Sequence, residues 1–368
     1  MIRFLYILLV VLLFGVFIAI HEFGHFITAK LLGVKVNEFA IGMGPAIWQS
    51  RKGTGEPWEE GKTLYSLRLF PIGGYCAMEG EDEDTGDPRA FSRQKGWKKI
   101  VILCAGSFMN FLLGLVIVMA LALGSSQVAV PVVTELLDGF QHQGEAGLMV
   151  GDRILSVDGN PILVNSDASF FIRRNDGNGM DLVVERDGAR VELNDLHMER
   201  FEYVYGGTTT TGFGIVMGEV QEASVPRRIA EGFAETIDFV RIVWISLGDL
   251  VTGRVSSSEL SGVIGVVDVV SEAGAQYQTE AKSALAGILG VMSMMALISV
   301  NLAVMNMLPI PALDGGRIFF VLLNGLLYAV VRRRIPEKYE GYVHAGAFVL
   351  LLALMAVVAL HDVWKIFA

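Results

Sequence analysis

The sequence predicts a polytopic α-helical membrane protein. Four transmembrane helices carry a membrane-associated β-hairpin and one β domain inserted on the extracytoplasmic side. Composition is the first reason: of 368 residues, 52% are hydrophobic and 18% charged, where a soluble domain carries about 25% charged. The second is four runs that reach the roughly 20 apolar residues a bilayer crossing needs. The third is the stretch between the second and third runs, which reads as short strands and turn dipeptides rather than membrane.

The first run extends from about Phe4 to Leu32. It is too long for a signal peptide and lacks a small-x-small cleavage site, so it is expected to be retained as a span. The following segments, VKVNEFAIGMGPAIWQS and TLYSLRLFPIGGY, are rich in β-branched and aromatic residues punctuated by Gly and Pro. They predict a hairpin over 34–78. The acidic run EGEDEDTGD, Glu79 to Asp87, reads as a solvated loop. The second span covers roughly Trp97 to Gly124 and closes the first part of the membrane core, 1–126.

Residues 127–203 are expected to form the inserted domain, with turns at Asp158-Gly159 and Asp187-Gly188. The region 204–283 contains an amphipathic helix, Val225 to Gly253, expected to lie against the membrane or the core. The second part of the core, 284–368, holds the third span, which begins near Ser283, and the fourth, from about Tyr342 to Trp364. The stretch from Ser283 to Val331 exceeds one span, leaving room for a partial helix after Gly316.

Basic residues set the orientation. Arg89, Arg93, Lys95, Lys98 and Lys99 precede the second span, and Arg332, Arg333, Arg334 and Lys338 precede the fourth. With four spans both loops share one face, which is then cytoplasmic. Both termini and the inserted domain fall outside, in a multi-pass protein of the inner or plasma membrane. The net charge of −10 argues against nucleic acid as a partner. Cys76 and Cys104 form no CxxC pattern and read as free thiols.

The chemistry starts at IAIHEFGHFITAK, residues 18–30. A charged side chain near the bilayer centre costs roughly 3 kcal/mol, so ionisable groups there point to function. HEFGH fits HExxH. On a helix, His21 and His25 share a face and can grip one metal ion. Neutral imidazoles suit zinc and leave room for a third protein ligand and a water, which Glu22, one step around, can reach as general base. An interfacial polar cluster is the structural alternative.

NMLPIPALDGGR, Asn306 to Arg317, offers the third ligand. Pro309 and Pro311 remove helix hydrogen bonds and Gly315-Gly316 loosens the backbone. Broken helix at membrane depth survives only where protein or a cavity shields it. Asp314 sits at this break, at a depth matching that of His21 and His25. Its alternative role is to cap the helix that follows.

Two resemblances emerge from these motifs. AGLMVGDRILSVDG resembles the signature of a PDZ domain, over roughly Gln127 to Glu199. HExxH in the first span, this insert and NxxPxPxLDG in a later span together resemble the site-2 protease family of intramembrane zinc metalloproteases. Within it, the chain is similar to the bacterial regulated-intramembrane-proteolysis members with one PDZ domain. The likeness covers nearly the whole chain, including Pro71 to Tyr75 and Phe91 to Phe111.

The resemblance implies one zinc ion held by His21, His25 and Asp314, with Glu22 as base. It implies that Asn306 hydrogen-bonds the substrate backbone and that the hairpin around Gly73, Gly74 and Tyr75 offers an edge strand to it. Pro309 and Pro311 are grouped with them in substrate binding. The implied substrates are single-span membrane proteins already trimmed outside, such as anti-sigma factors and signal-peptide remnants, met within membrane lipid. The PDZ-like domain would gate or dock them. A membrane adaptor or chaperone with a vestigial site, and a transporter, are the rival classes. The oligomeric state stays open. The chain departs from the family pattern at Ser107, Val263 and Arg317, none of which touches the zinc chemistry.

Overall fold

The computed structural model describes residues 2–52, 63–81, 85–205, 208–254, 262–333 and 335–367. The hairpin connection 53–62, the middle of the acidic run and Arg334 lie outside the described residues. The chain divides into two compact units, Met1–Ile117 with Ile242–Ala368, and Val118–Arg241.

In the first unit, α1 (Ile2–Leu31) runs unbroken through the polar trio. A helix satisfies its own backbone groups, which an apolar surrounding requires. It ends at Gly33, whose φ of +81° a side chain would disfavour. There the Gly33 and Val34 amides donate back to the Lys30 and Ala29 carbonyls at 3.2 and 2.8 Å, a Schellman stop. The chain then enters β1 (Val36–Lys52) and β2 (Thr63–Met78), an antiparallel pair. Val36–Ile41 lie against Gly74–Met78, and Met43–Lys52 against Thr63–Phe70. Val36, Phe39, Cys76 and Met78 are buried with Ala29 of α1 and with Ile102 and Leu103 of α2 (Gly96–Gly124). The hairpin is therefore fixed to the two helices beside the polar trio.

The second unit holds β3 (Gln127–Leu136), β4 (Arg153–Val157), β5 (Asn160–Pro161), α3 (Asn165–Arg174), β6 (Asn178–Arg186) and β7 (Ala189–His197). It continues through β8 (Phe201–Tyr205), β9 (Thr208–Gly212), β10 (Ile215–Glu222) and the start of α4 (Val225–Val251). The main sheet has the order β10-β3-β4-β6-β7, with β5 on β4. Asp158-Gly159 and Asp187-Gly188 all take positive φ, the backbone that tight hairpins select. The sheet runs past residue 203, because β10 pairs with β3, while β8 and β9 form a separate ribbon. On α4, Ile229, Phe233 and Ile237 are exposed while Thr236 and Asp238 are buried.

The first unit resumes with α5 (Val263–Ala281), α6 (Ala284–Asn306), α7 (Asp314–Val331) and α8 (Glu337–Phe367). Asp362 of α8 accepts the Gly262 and Gly265 amides at 2.9 and 3.0 Å, capping the start of α5. Helix α6 stops where Pro309 and Pro311 deny further helix hydrogen bonds, and α7 restarts at Asp314. Among the described residues, five helices, α1, α2, α6, α7 and α8, are long and apolar enough to cross a membrane. This is the make-up of a polytopic membrane protein.

Candidate metal centre

Three side chains from two helices converge on one point. His21 and His25 lie one turn apart on α1, with ring centroids 4.8 Å apart and planes at 85°. Their Nε2 atoms are 3.1 Å apart. Asp314, the first residue of α7, places Oδ2 3.1 Å from His21 Nε2 and 3.3 Å from His25 Nε2. Despite those distances, Oδ2 is buried and makes no hydrogen bond. These ligand-type atoms of His21, His25 and Asp314 all lie within 4.8 Å of one another. The two Nε2 atoms are within hydrogen-bond reach of each other, but the Asp314 oxygen beside them is left without a partner, and three ligand-type atoms gathered this closely suit a common centre.

The tautomer of His25 agrees with this. Its Nδ1 lies 2.9 Å from the Ile102 carbonyl, which can only accept, so Nδ1 carries the proton. Neutral His25 then turns an Nε2 lone pair towards His21 and Asp314, the outer-shell arrangement usual for a metal-binding imidazole. Two imidazoles and a carboxylate, with one side of the site facing a cleft, match the donor set of a zinc site that keeps a position for water or substrate.

Helix α2 makes room for the rings. A Cβ at Gly106 would overlap His25 Nε2 and lie 2.7 Å from His21 Cε1. Gly24 of α1 likewise lies against the Ala105 carbonyl. At the other wall, a Cβ on Gly315 would strike the backbone of Met307 and Leu308, and one on Gly316 the Ile310 carbonyl. The glycine pair is what lets the first turn of α7 fold against the broken segment and bring Asp314 inward.

Glu22 faces the same space. Its Oε2 accepts the Cys76 amide at 3.0 Å, so β2 meets the site through its backbone. A cleft of about 290 Å³ is lined by His21, Glu22, Asn110, Asn306, Leu313 and Asp314, among others. A second, of about 140 Å³, adds His25, Cys76, Glu81 and Arg317. Asn306 thus joins the four residues of the motif. Gly73, Gly74, Tyr75, Pro309 and Pro311 line neither cleft. Tyr75 turns its hydroxyl and ring to Arg68, while the two prolines shape the segment that delivers Asp314.

Sequence reasoning gave no role in the site to several groups that the fold brings here. Asn110 is 1% exposed, lines the larger cleft and has an unpaired buried Oδ1. Arg317 pairs with Glu81, tying the first turn of α7 to the chain after β2. His344 of α8 accepts the Ala312 amide at 2.9 Å. A polar Asn inside an apolar run is a signal that could have marked Asn110. No local pattern announces the other two.

Comparison with known proteins agrees with this chemistry. The profile of peptidase family M50 matches residues 9–354. A Clostridium perfringens protein named as a zinc metalloprotease is 34% identical over 359 residues, covering 98% of both chains. The zinc metalloprotease RasP of Bacillus licheniformis is 27% identical over 440 residues, 97% of this chain and 98% of its own. The regulator of sigma-W protease RasP of Bacillus subtilis is 26% identical, again over 97% and 98%. A match across almost the full chain, on a fold that gathers a zinc-type donor set, identifies this protein as a zinc metalloprotease of peptidase family M50, the site-2 protease family.

Proposed function

We propose that this enzyme is an intramembrane endopeptidase in which His21, His25 and Asp314 hold the zinc ion and Glu22 is the general base. The observation that carries the reading is Asp314 Oδ2, buried 3.1 and 3.3 Å from two imidazole nitrogens and hydrogen-bonded to neither. The bound ion supplies a Lewis acid that polarises the scissile carbonyl and acidifies a water. Glu22 takes the proton of the attacking water and returns it to the leaving amine. Asn306, on the cleft wall, holds the substrate backbone, with Pro309 and Pro311 keeping its segment open. The stretch from Gly73 through Tyr75 belongs to the outer arm of the hairpin and receives an unwound substrate as an added strand.

The substrates we propose are single-span membrane proteins already shortened outside, among them anti-sigma factors and signal-peptide remnants. That one relative is named as a regulator of sigma-W protease supports the first class. In our reading α1, α2 and α8 are full spans, and α6 with α7 makes one broken span, giving four. Basic residues then put the site near the cytoplasmic face and both termini outside. The domain beginning at residue 127 is PDZ-like and screens or docks the ectodomain. Its Asp-Gly turns and five-strand sheet path with one flanking helix support this.

The test is cleavage of a single-span reporter with a shortened ectodomain in membranes, native chain against Glu22→Gln. Loss of cleavage with zinc content retained is expected. Equal cleavage by both would overturn the assignment of the base.

A further inference from the structure

The segment between α6 and α7 must hold Asp314 at one place against two imidazoles, yet it has no regular structure of its own. Its ends are tied to the flanking helices, Met307 and Leu308 donating back to Val304 and Met305 and Leu313 accepting from Gly316 and Arg317. Within it, the Ile310 amide donates to the Leu308 carbonyl at 2.7 Å and the Leu313 amide to the Ile310 carbonyl at 3.2 Å. Two residues before Asp314, Ala312 has φ +80°, a conformation that an L side chain resists. Something outside the segment has to hold it there.

That contact comes from α8. His344 Nδ1 lies 2.9 Å from the Ala312 nitrogen. The amide can only donate, so Nδ1 is the unprotonated nitrogen and the neutral ring carries its proton on Nε2. Nε2 faces Glu340 Oε1 at 4.0 Å, one helical turn earlier. The ring packs on Phe320 of α7 with centroids 5.4 Å apart. His344 therefore touches both the strained residue and the helix that begins with Asp314. An apolar ring would fill the same space without placing a polar group in an apolar helix, so the nitrogen itself calls for a role.

We propose that His344 is a positioning residue for the metal centre: its Nδ1 anchors the Ala312 amide, fixes the left-handed turn and thereby aims Asp314 at His21 and His25. The inference rests on the reading of Asp314 as a zinc ligand. It concerns an outer-shell contact made through backbone, two residues from the ligand.

Purified full-length protein in detergent tests this with Zn²⁺ competed against a chromophoric chelator, and with Co²⁺ whose absorption reports ligand geometry. His344→Phe keeps the ring on Phe320 and removes the acceptor. His344→Asn keeps an acceptor near Nδ1 and removes the ring. The Phe variant is expected to bind zinc about 10- to 100-fold more weakly, the range seen for outer-shell partners, with an altered Co²⁺ spectrum. The Asn variant is expected to stay near native in both. Native zinc affinity and Co²⁺ spectrum in His344→Phe, with Asp314→Asn weakened, would overturn the inference while leaving the ligand reading intact. A loss in the Asn variant as deep as in the Phe variant would overturn it too, since packing would then be the agent. Native zinc affinity in Asp314→Asn would instead overturn the ligand reading itself. Should the Phe variant not fold, His344→Gln, whose amide reaches the Nε2 position, serves as the variant without an acceptor at Nδ1.

Discussion

The Cys76 amide donates to Glu22 Oε2 at 3.0 Å, so the outer arm of the hairpin and the glutamate of HExxH share one hydrogen bond. Peptide groups alternate in direction along a strand, and the amides of Gly74, Cys76 and Met78 leave β2 on the same side. That of Met78 goes to Glu81 Oε2 at 3.3 Å. Two of the three amides on this edge are therefore taken by carboxylates. On the proposed function, a substrate strand laid along it would compete with Glu22 for the Cys76 amide and free the carboxylate for its role as base.

Removing this amide should uncouple the hairpin from the base. Cys76→Ala keeps the N–H and is expected to retain cleavage. Cys76→Pro removes it, and cleavage is expected to fall about 100-fold, within the range general-base catalysis contributes. Zinc content should stay at the native level, because His21, His25 and Asp314 are untouched. Turnover of a shortened reporter beside metal analysis makes the comparison. Equal loss in the Ala and Pro variants would assign the effect to the side chain instead.

Gly106→Ala should act on the metal centre from the opposite wall. The new methyl would overlap His25 Nε2 and lie 2.7 Å from His21 Cε1, so either the rings or the close α1–α2 contact at Gly24 and Ala105 must give. We expect zinc binding to weaken by at least about tenfold, as when a ligand's supporting contact is lost. Gly124→Ala is the control: nothing lies within 4 Å of its added Cβ, and alanine favours helix by about 1 kcal/mol over glycine. Zinc titration of both variants decides, and native affinity in Gly106→Ala would show that the rings can shift at little cost.

Much of this was legible in the sequence because the signals were local. HEFGH places two imidazoles one turn apart whatever surrounds them, and the Pro-x-Pro pair must end α6 wherever it falls. Asp158-Gly159 and Asp187-Gly188 dictate their turns for the same reason. What was not legible depends on contacts distant in the chain. Ala312 and His344 are 32 residues apart, Cys76 and Glu22 are 54 apart, and neither pair has a pattern that names its partner. The pairing of β10 with β3 is of the same kind. β10 contains Gly218 and weak alternation, and it is a strand because β3 pairs with it.

The second unit carries a pH dependence of its own. Asp167 of α3 and Asp238 of α4 are both fully buried and share Arg241, which reaches Asp238 at 3.1 Å, contacts Asp167 and lies 4.9 Å from the Phe171 ring centre. One cation cannot balance two carboxylates. Burial first, then the Asp167 carboxylate, push the Asp238 carboxyl up to about 8, against the pull of Arg241. The folded state therefore binds more protons than the unfolded chain between the ordinary aspartate value near 4 and about 8. A folded-state pKa raised in an acid means that stability is greatest at the low end of this window and falls as pH rises through it. Asp238→Asn cannot ionise. It is expected to flatten the dependence and to raise the stability of this unit at the upper end. Hydrogen exchange of peptides from 118–241 in the full-length protein, corrected for intrinsic rate between about pH 6 and 8.5, reads the slope directly. The same slope in Asp238→Asn would place the titrating group elsewhere.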